Sequence, residues 1–291
     1  MEPMPVAPES ALQCPICQRP LELAANALTQ LRCAEGHSYD AAKQGYFNLL
    51  VGKGTAFEAD SAAMVAARHN FLAAGHYLPL ATAVAAAVVP HLPATGGAVL
   101  DSGTGTGQYL RVLLDTAAAA NVPVASYGLD ISKYALRRAA RLNPESINVV
   151  WDVWQPLPLA DHSVDAVTVI FAPRNPAEFA RVLRPGGRLL VVAPGSGHLS
   201  TLATATGMLA IEDDKEDRLR AAMTGHFSLE SAADLTIPLV LSRTEAADLA
   251  FMGPAGHHLD QASLRTTAEL WTEPVNVEAK FRLLAFTRQT A

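Results

Sequence analysis

The stretch Ala98-Val99-Leu100-Asp101-Ser102-Gly103-Thr104-Gly105-Thr106-Gly107 decides the fold. An apolar strand runs into an acid and a glycine-rich turn, and Gln108 to Ala118 then reads as a helix. Glycines let a ligand approach the backbone closely, and the helix start offers free N–H groups. The spacing is G-x-G-x-G, whereas a dinucleotide fingerprint is G-x-G-x-x-G. The nicotinamide reading therefore loses. The pattern is that of a loop wrapping the methionine and ribose of S-adenosylmethionine (SAM), with Asp101, Gly103, Gly105 and Gly107 as its candidate residues.

Downstream, strands and helices alternate, the signature of a parallel sheet covered by helices. Val124–Leu129, Ile147–Trp151, Val164–Phe171 and Arg188–Ala193 read as strands, the last after a turn at Pro185-Gly186-Gly187. Lys133–Arg141 and Ala177–Leu183 read as helices, and two late strands, Leu235–Leu241 and Val277–Phe286, flank a helix near Glu245. Asp130, followed by Ile131, ends the second strand, where an acid accepts hydrogen bonds from ribose hydroxyls. Asp152 follows the third strand, where adenine would be gripped. Either acid alone could merely cap a helix. In order on successive strand ends they reinforce one another. The expected fold is α/β, a class I (Rossmann-like) SAM-dependent methyltransferase sheet.

Upstream lie all three cysteines of the chain, as Cys14-x-x-Cys17 and Cys33-x-x-x-His37. Two tight ligand pairs separated by roughly 15 residues match the spacing of a zinc site. Four protein ligands leave no open position, so the metal would be structural and would contribute folding energy to a short segment. The alternative, ordinary buried cysteines, would need the whole complement to fall in this pattern by chance. The spacing thus predicts a disordered lead-in over 1–11, a zinc-ribbon-like domain over 12–51, a linker over 52–60, and a methyltransferase domain over 61–291 that opens with two helices broken at Gly75 and Pro79.

Half of the 291 residues are hydrophobic and 17% are charged, which describes a folded globular chain. No run of about 18 apolar residues is present, so no membrane span is expected. No basic patch precedes an apolar core at the N-terminus, so cytoplasm is the expected compartment. The net charge of −6 excludes a uniformly basic coat but not a local basic face.

The order of the Cys/His pairs followed by Lys43-Gln44-Gly45-Tyr46-Phe47-Asn48-Leu49-Leu50 resembles the RlmA family of 23S rRNA guanine-N1 methyltransferases. The resemblance continues through Ala73-Ala74-Gly75-His76-Tyr77-Leu78-Pro79-Leu80, Phe171-Ala172-Pro173-Arg174-Asn175-Pro176 and Pro194-Gly195-Ser196-Gly197-His198-Leu199. The Phe-Ala-Pro-Arg-Asn segment is similar to the tylosin-resistance branch. The resemblance implies cofactor contacts at Tyr77, Gly107, Gln108 and His198, a zinc domain that recognises RNA, and a homodimer. The implied substrate is a guanine in a domain II hairpin loop near the macrolide site of the exit tunnel, with macrolide resistance as the accompanying expectation. Enzymes that methylate exocyclic amines carry N-P-P-Y after the fourth strand. Phe171-Ala172-Pro173-Arg174 stands there instead, consistent with a ring nitrogen as acceptor.

Loss of the guanine N1 proton calls for a base or a polarising hydrogen bond. Candidates by position are His76, Asp152, Arg174 and His198, with Glu178 also in range. Tyr77, Phe171 and Trp154 are candidate stacking surfaces for an unstacked base. The zinc segment is not basic, so phosphate contacts would come from Arg137, Arg138, Arg141, Arg174, Arg181 or Arg184, although such residues are more often a solvated helix face. Two rivals remain at this stage: a small-molecule methyltransferase with a zinc scaffold, and an inactive RNA-binding relative.

Overall fold

The computed structural model describes residues 11–23, 29–51, 55, 57–206 and 215–289. The expected lead-in, apart from Ala11, lies outside the described residues, as do positions 52–54 and 56 of the linker. An eight-stranded sheet runs in the order β10 (Phe227–Leu241), β11 (Val275–Arg288), β9 (Leu183–Pro194), β8 (Val164–Ile170), β5 (Gly97–Ser102), β6 (Val124–Asp130), β7 (Ile147–Val150), β4 (Tyr46–Asn48). Pairings from β9 to β4 are parallel, while β11 pairs antiparallel with both β9 and β10. Strand β5, at the centre, is buried along its whole length. This suits a parallel strand covered on both faces.

One covering layer holds α1 (Ala62–Ala73), α2 (Leu78–Val88) and α3 (Gln108–Ala119), whose Met64, Phe71, Leu80, Val84 and Leu113 share a core with Val99 and Phe281. Ser61 caps α1, its hydroxyl accepting from Met64 N at 3.2 Å. Gly75 breaks the helical path in a left-handed conformation (φ +85°), as anticipated. Pro79 does not break it. It occupies the first turn of α2, where a missing N–H costs nothing. The turn expected at Pro185-Gly186-Gly187 is present as a bulge inside β9, where Gly186 has φ +75° and the register against β8 slips between Leu183 and Arg188.

The three-stranded sheet of β1 (Glu22–Leu23), β2 (Gln30–Arg32) and β3 (Ser38–Asp40) frames the cysteines. This ribbon is continuous with the main body. Its exit strand β4 pairs with β7 as the parallel edge of the large sheet, and Leu12 bridges Leu159. Leu12, Leu21, Leu31 and Phe47 are fully buried in the core that also holds Leu100 and Val167. Helix α4 (Lys133–Leu142) packs Leu136 and Ala139 against Tyr46 on the same side. The tail of the domain adds helices absent from the sequence reading: α6 (Ser200–Thr206), α7 (Lys215–Met223) and α9 (Gln261–Ala268). The helix near Glu245 is α8 (Arg243–Phe251), closed by a capping box between Ser242 and Glu245. No single described helix is long and apolar enough to cross a membrane.

Candidate metal centre and active site

The donor atoms of Cys14, Cys17, Cys33 and His37 all lie within 4.8 Å of one another. Cys17 Sγ and Cys33 Sγ are 3.7 Å apart, and His37 Nδ1 is 3.6 Å from Cys14 Sγ and 3.4 Å from Cys33 Sγ. A zinc tetrahedron with Zn–S of about 2.3 Å and Zn–N of about 2.0–2.1 Å has S–S edges near 3.8 Å and S–N edges near 3.6 Å. The measured edges fit those values. Gly36, at φ +85°, tightens the second turn so that His37 C=O can accept from Cys33 N at 3.0 Å. Burial alone would push the Cys14 thiol up. Hydrogen bonds from Tyr39 Oη and the backbone of Cys17 and Ile16 outweigh it and bring the pKa down to about 7. The thiolate that a metal needs is therefore accessible at neutral pH. The set is closed, three sulfurs and one nitrogen, which makes the zinc structural.

At the carboxyl ends of the parallel strands lies a cleft of about 1490 Å³. Its floor is the glycine loop: Gly103, Thr104, Gly105 and Thr106 line it, followed by Gln108. Asp130 binds this loop directly, its Oδ2 accepting from Gly105 N and its Oδ1 from Ser132 N, both at 2.8 Å. The residue is largely buried, so desolvation raises the carboxylate's pKa; the two backbone N–H groups and Arg68 oppose that rise. Each oxygen accepts a single hydrogen bond among the described residues, and the residue lines the cleft. Ile131, Asp152, Tyr77 and His198 also line it. Tyr77 Oη and Trp151 Nε1 are buried there without hydrogen-bond partners among the described residues. Buried polar atoms are normally satisfied, so orphans lining one cleft mark a ligand's place. A cofactor with ribose hydroxyls and an adenine ring supplies such partners, and SAM fits.

Two predicted contacts support the cleft from beneath. Asp101 is 2% exposed, and its Oδ1 accepts from Thr168 Oγ1 at 2.7 Å. Burial raises its pKa to about 6, with the Thr104 and Thr168 hydroxyls and Asp130 as lesser influences. Gly107 starts α3 at φ +87°, and a Cβ there would meet Asn143 Nδ2 at 2.7 Å and Ala139 Cα at 2.9 Å. Its glycine is required by helix packing.

The acid–base candidates separate clearly. His76 is not a cleft residue: its Nε2 bonds Glu245 at 2.8 Å and its ring lies against Phe71, because Glu245 returns beside α1 from 169 residues away. Glu178 is also spoken for, accepting from Leu157 N and pairing with Arg181 at 2.7 Å. Asp152 lies on the wall with both oxygens engaged, by Thr55 Oγ1 at 2.8 Å and Trp154 N at 3.0 Å. His198 lines the cleft with Nδ1 held at the Lys280 backbone, accepting from its N–H at 3.0 Å, and burial pushes its pKa down to about 4. Arg174 lines the cleft with Nε buried and unpartnered. Of the other arginines considered, Arg181 and Arg184 are consumed by Asp161 and Asp165. Arg137, Arg138 and Arg141 lie on α4.

Some site residues escaped sequence reading. Asp60 pairs with Arg68 at 2.5 Å and with His257 at 3.3 Å, closing one side of the cleft near Gly105. Phe57 (54% exposed), also unforeseen, joins the expected stacking candidates Trp154 (51%), its ring centroid 6.4 Å away, and Phe171 (41%) on the cleft lining. Residues of the linker carry no motif, so nothing local betrayed them.

The parallel sheet, the glycine loop locked by Asp130 and the orphaned polar atoms of the cleft define a SAM-dependent methyltransferase of the Rossmann-like class, with an N-terminal zinc ribbon. Residues 12–52 match the zinc-ribbon family described as RlmA, N-terminal, and residues 100–191 match the family described as methyltransferase domain. A Micromonospora griseorubida protein, provisionally named a 23S rRNA (guanine-N1)-methyltransferase, is 42% identical over 94% of this chain and 96% of its own. The 23S rRNA (guanine(748)-N1)-methyltransferase of Streptomyces fradiae is 41% identical over 89% of this chain and 90% of its own. A chain from the complex of the Haloferax volcanii Trm112 methyltransferase activator with a methyltransferase shares the fold, at TM-score 0.53 and 19% identity over 81% of this chain and all of that one. The chain belongs to the RlmA-type family of 23S rRNA (guanine-N1)-methyltransferases, and its cofactors are SAM and structural zinc.

Proposed function

We propose that the acceptor is N1 of a guanine in 23S rRNA, in a domain II hairpin loop beside the macrolide site. The observation that carries this reading is the row of exposed aromatics on the cofactor cleft. Apolar rings are rarely left open to water beside a reaction site unless something stacks on them, and sequence-specific RNA recognition works on unstacked loop bases laid against aromatic faces. Phe171 adds a second sign. Its φ of +55° is strained for a bulky residue, and such strain clusters at functional positions.

Phosphate contacts fall to α4. Lys133, Arg137, Arg138 and Arg141 project from this helix next to the ribbon's exit strand, and none is paired with a carboxylate among the described residues. A local basic face thus coexists with the net negative charge. SAM supplies an electrophilic methyl group on a good leaving group, so the chain's task is alignment. Asp130 and the glycine loop would hold the ribose side, Asp152 and Trp151 the adenine side, and Tyr77 and His198 the far wall, leaving the aromatic mouth for the base. We further propose a homodimer, a cytoplasmic site of action, and macrolide resistance as the consequence of the modification.

The test is transfer from labelled SAM to unmodified 23S rRNA, mapped by reverse transcription, which an N1-methyl group arrests. A stop in the tunnel-side hairpin of domain II is the expected result. Label confined to small metabolites would favour a small-molecule enzyme, the reading that the net charge of −6 supports best. No transfer at all would favour an inactive relative, against which the intact loop and Asp130 argue.

A further inference from the structure

Arg174 is held in an unusual state. Its Nε is buried, no hydrogen bond or ion pair reaches the side chain among the described residues, and burial depresses the pKa of its guanidinium. Guanidinium remains charged at any working pH, and a desolvated cation without a partner is costly. The loop does not need it. Phe171 N donates to Val192 O at 3.2 Å, Asn175 Nδ2 donates to Val153 O at 2.9 Å, and Asn175 Oδ1 caps α5 (Pro176–Val182). The loop is thereby fixed on both sides of Arg174, with Phe171 open on the same cleft and Trp154 on the neighbouring loop. Most other charges on the cleft are engaged: Asp60 by Arg68 and His257, Asp152 by Thr55, Asp130 by two backbone N–H groups, Asp234 by Arg282 at 3.0 Å; Glu58, on the lining, is exposed to water and makes no ion pair with Arg174. His198 is neutral at pH 7. What Arg174 lacks is an acceptor, and it sits on the aromatic side of the cleft.

We propose that Arg174 binds O6 of the acceptor guanine and takes up the negative charge that loss of the N1 proton places there. This rests on the proposed guanine-N1 reaction. An arginine fork on guanine O6 and N7 is the commonest specific contact to that base. In the step, the N1–H bond breaks and the proton leaves to water in the open cleft. The N1 lone pair then forms the bond to the methyl carbon, and the C–S pair departs onto sulfur, giving a neutral thioether. Charge on N1 is shared with O6, so a guanidinium there acidifies N1–H and favours the reactive anion at neutral pH. A preorganised donor at a developing oxyanion is worth a large factor in rate.

The experiment compares wild type, R174A, R174Q and R174K for transfer to 23S rRNA across pH, with SAM affinity measured by calorimetry and folding by thermal melt. For R174A and R174Q we expect unchanged melting, SAM affinity within about threefold, and a loss of about 100-fold in kcat at neutral pH. The loss should shrink tenfold per pH unit as hydroxide replaces the missing charge, so that the plateau of the pH profile moves to higher pH; R174K should lie between. Loss of SAM affinity would make Arg174 a ligand of the cofactor's carboxylate and overturn the proposal. An equal loss at every pH would make it a positioning residue and also overturn it, as would full activity. A wild type that methylates no rRNA guanine would sink the functional reading itself, whereas active wild type with active R174A sinks this inference alone.

Discussion

Gly103 is where the cofactor loop touches the acceptor loop, and replacing it by alanine isolates that contact. Its φ is +79°, which an L side chain tolerates at about 1–2 kcal/mol. Its added Cβ would also overlap the Ala172 Cβ, while Ala172 Cα lies at an ordinary 3.6 Å. The overlap is with a carbon fixed to the backbone, so no rotamer change relieves it, and overpacking of this kind costs about 1–3 kcal/mol. Gly103→Ala should therefore destabilise by about 2–5 kcal/mol in total. Gly186 provides the control: φ is +75° with nothing within 4 Å of a Cβ, so Gly186→Ala should show the backbone cost alone. Ala172→Gly in the Gly103→Ala background removes the overlapped atom and should recover the steric part. Urea unfolding without SAM, read as a shift in midpoint at constant slope, measures wild type, these three variants and Ala172→Gly alone, and the double-mutant cycle gives the coupling. If Gly103→Ala costs no more than Gly186→Ala, or Ala172→Gly fails to rescue it, the claimed contact between the two loops is wrong.

Three further outcomes follow from the same geometry. Removal of zinc by a chelator, or Cys17→Ser, should release one metal per chain and lower the melting temperature of the whole protein in a single transition, because the ribbon shares its core with the sheet; a separate early transition that leaves the main melt untouched would contradict this. Asp130→Ala removes the acceptor for Gly105 N and Ser132 N, and with ribose bonds of about 1.5 kcal/mol or more each should weaken SAM binding by about 100-fold in calorimetry; an unchanged affinity refutes the assignment. Asp101, with its folded pKa near 6 against an ordinary 3.8, favours its protonated form when folded, so its contribution is intact below pH 4 and is lost as pH rises through 6. Asp101→Asn should thus stabilise by on the order of 3 kcal/mol at neutral pH and by nothing near pH 3.5, as melts across pH would register.

What could be read from sequence was whatever the chain states locally. The C-x-x-C and C-x-x-x-H turns bring their own ligands together, and the glycine loop carries its own strand and helix. Asp130 was placed correctly at a strand end because α/β alternation sets the interval. His76 went astray because its partner, Glu245, arrives through tertiary packing that no spacing encodes. Gly107 was read as a ligand contact, yet the atoms that demand a glycine belong to Ala139 and Asn143 of a helix end reached only in three dimensions. Strand β4 could not be read as part of the main sheet: three residues have no period, and their hydrogen bonds run to β7, about a hundred positions later.

That last pairing changes how the two halves of the chain relate. Were the ribbon a tethered module, metal binding would matter only for presenting RNA. Instead Cys14 and Cys33 are buried in the core that contains Leu100, one residue before the acid beneath the glycine loop. From β4 the register passes to β7 (Phe47 opposite Val149), then to β6 (Leu129 opposite Val149), and Leu129 C=O accepts from Gly103 N at 2.8 Å and Thr104 N at 2.9 Å. An unbroken path of backbone pairing thus joins the strand leaving the ribbon to the glycine loop. Close-packed interiors transmit displacement, so a ribbon without its metal perturbs the edge strand first and the cofactor loop two strands further in. The zinc is remote from the chemistry and yet part of what holds the cofactor loop in shape.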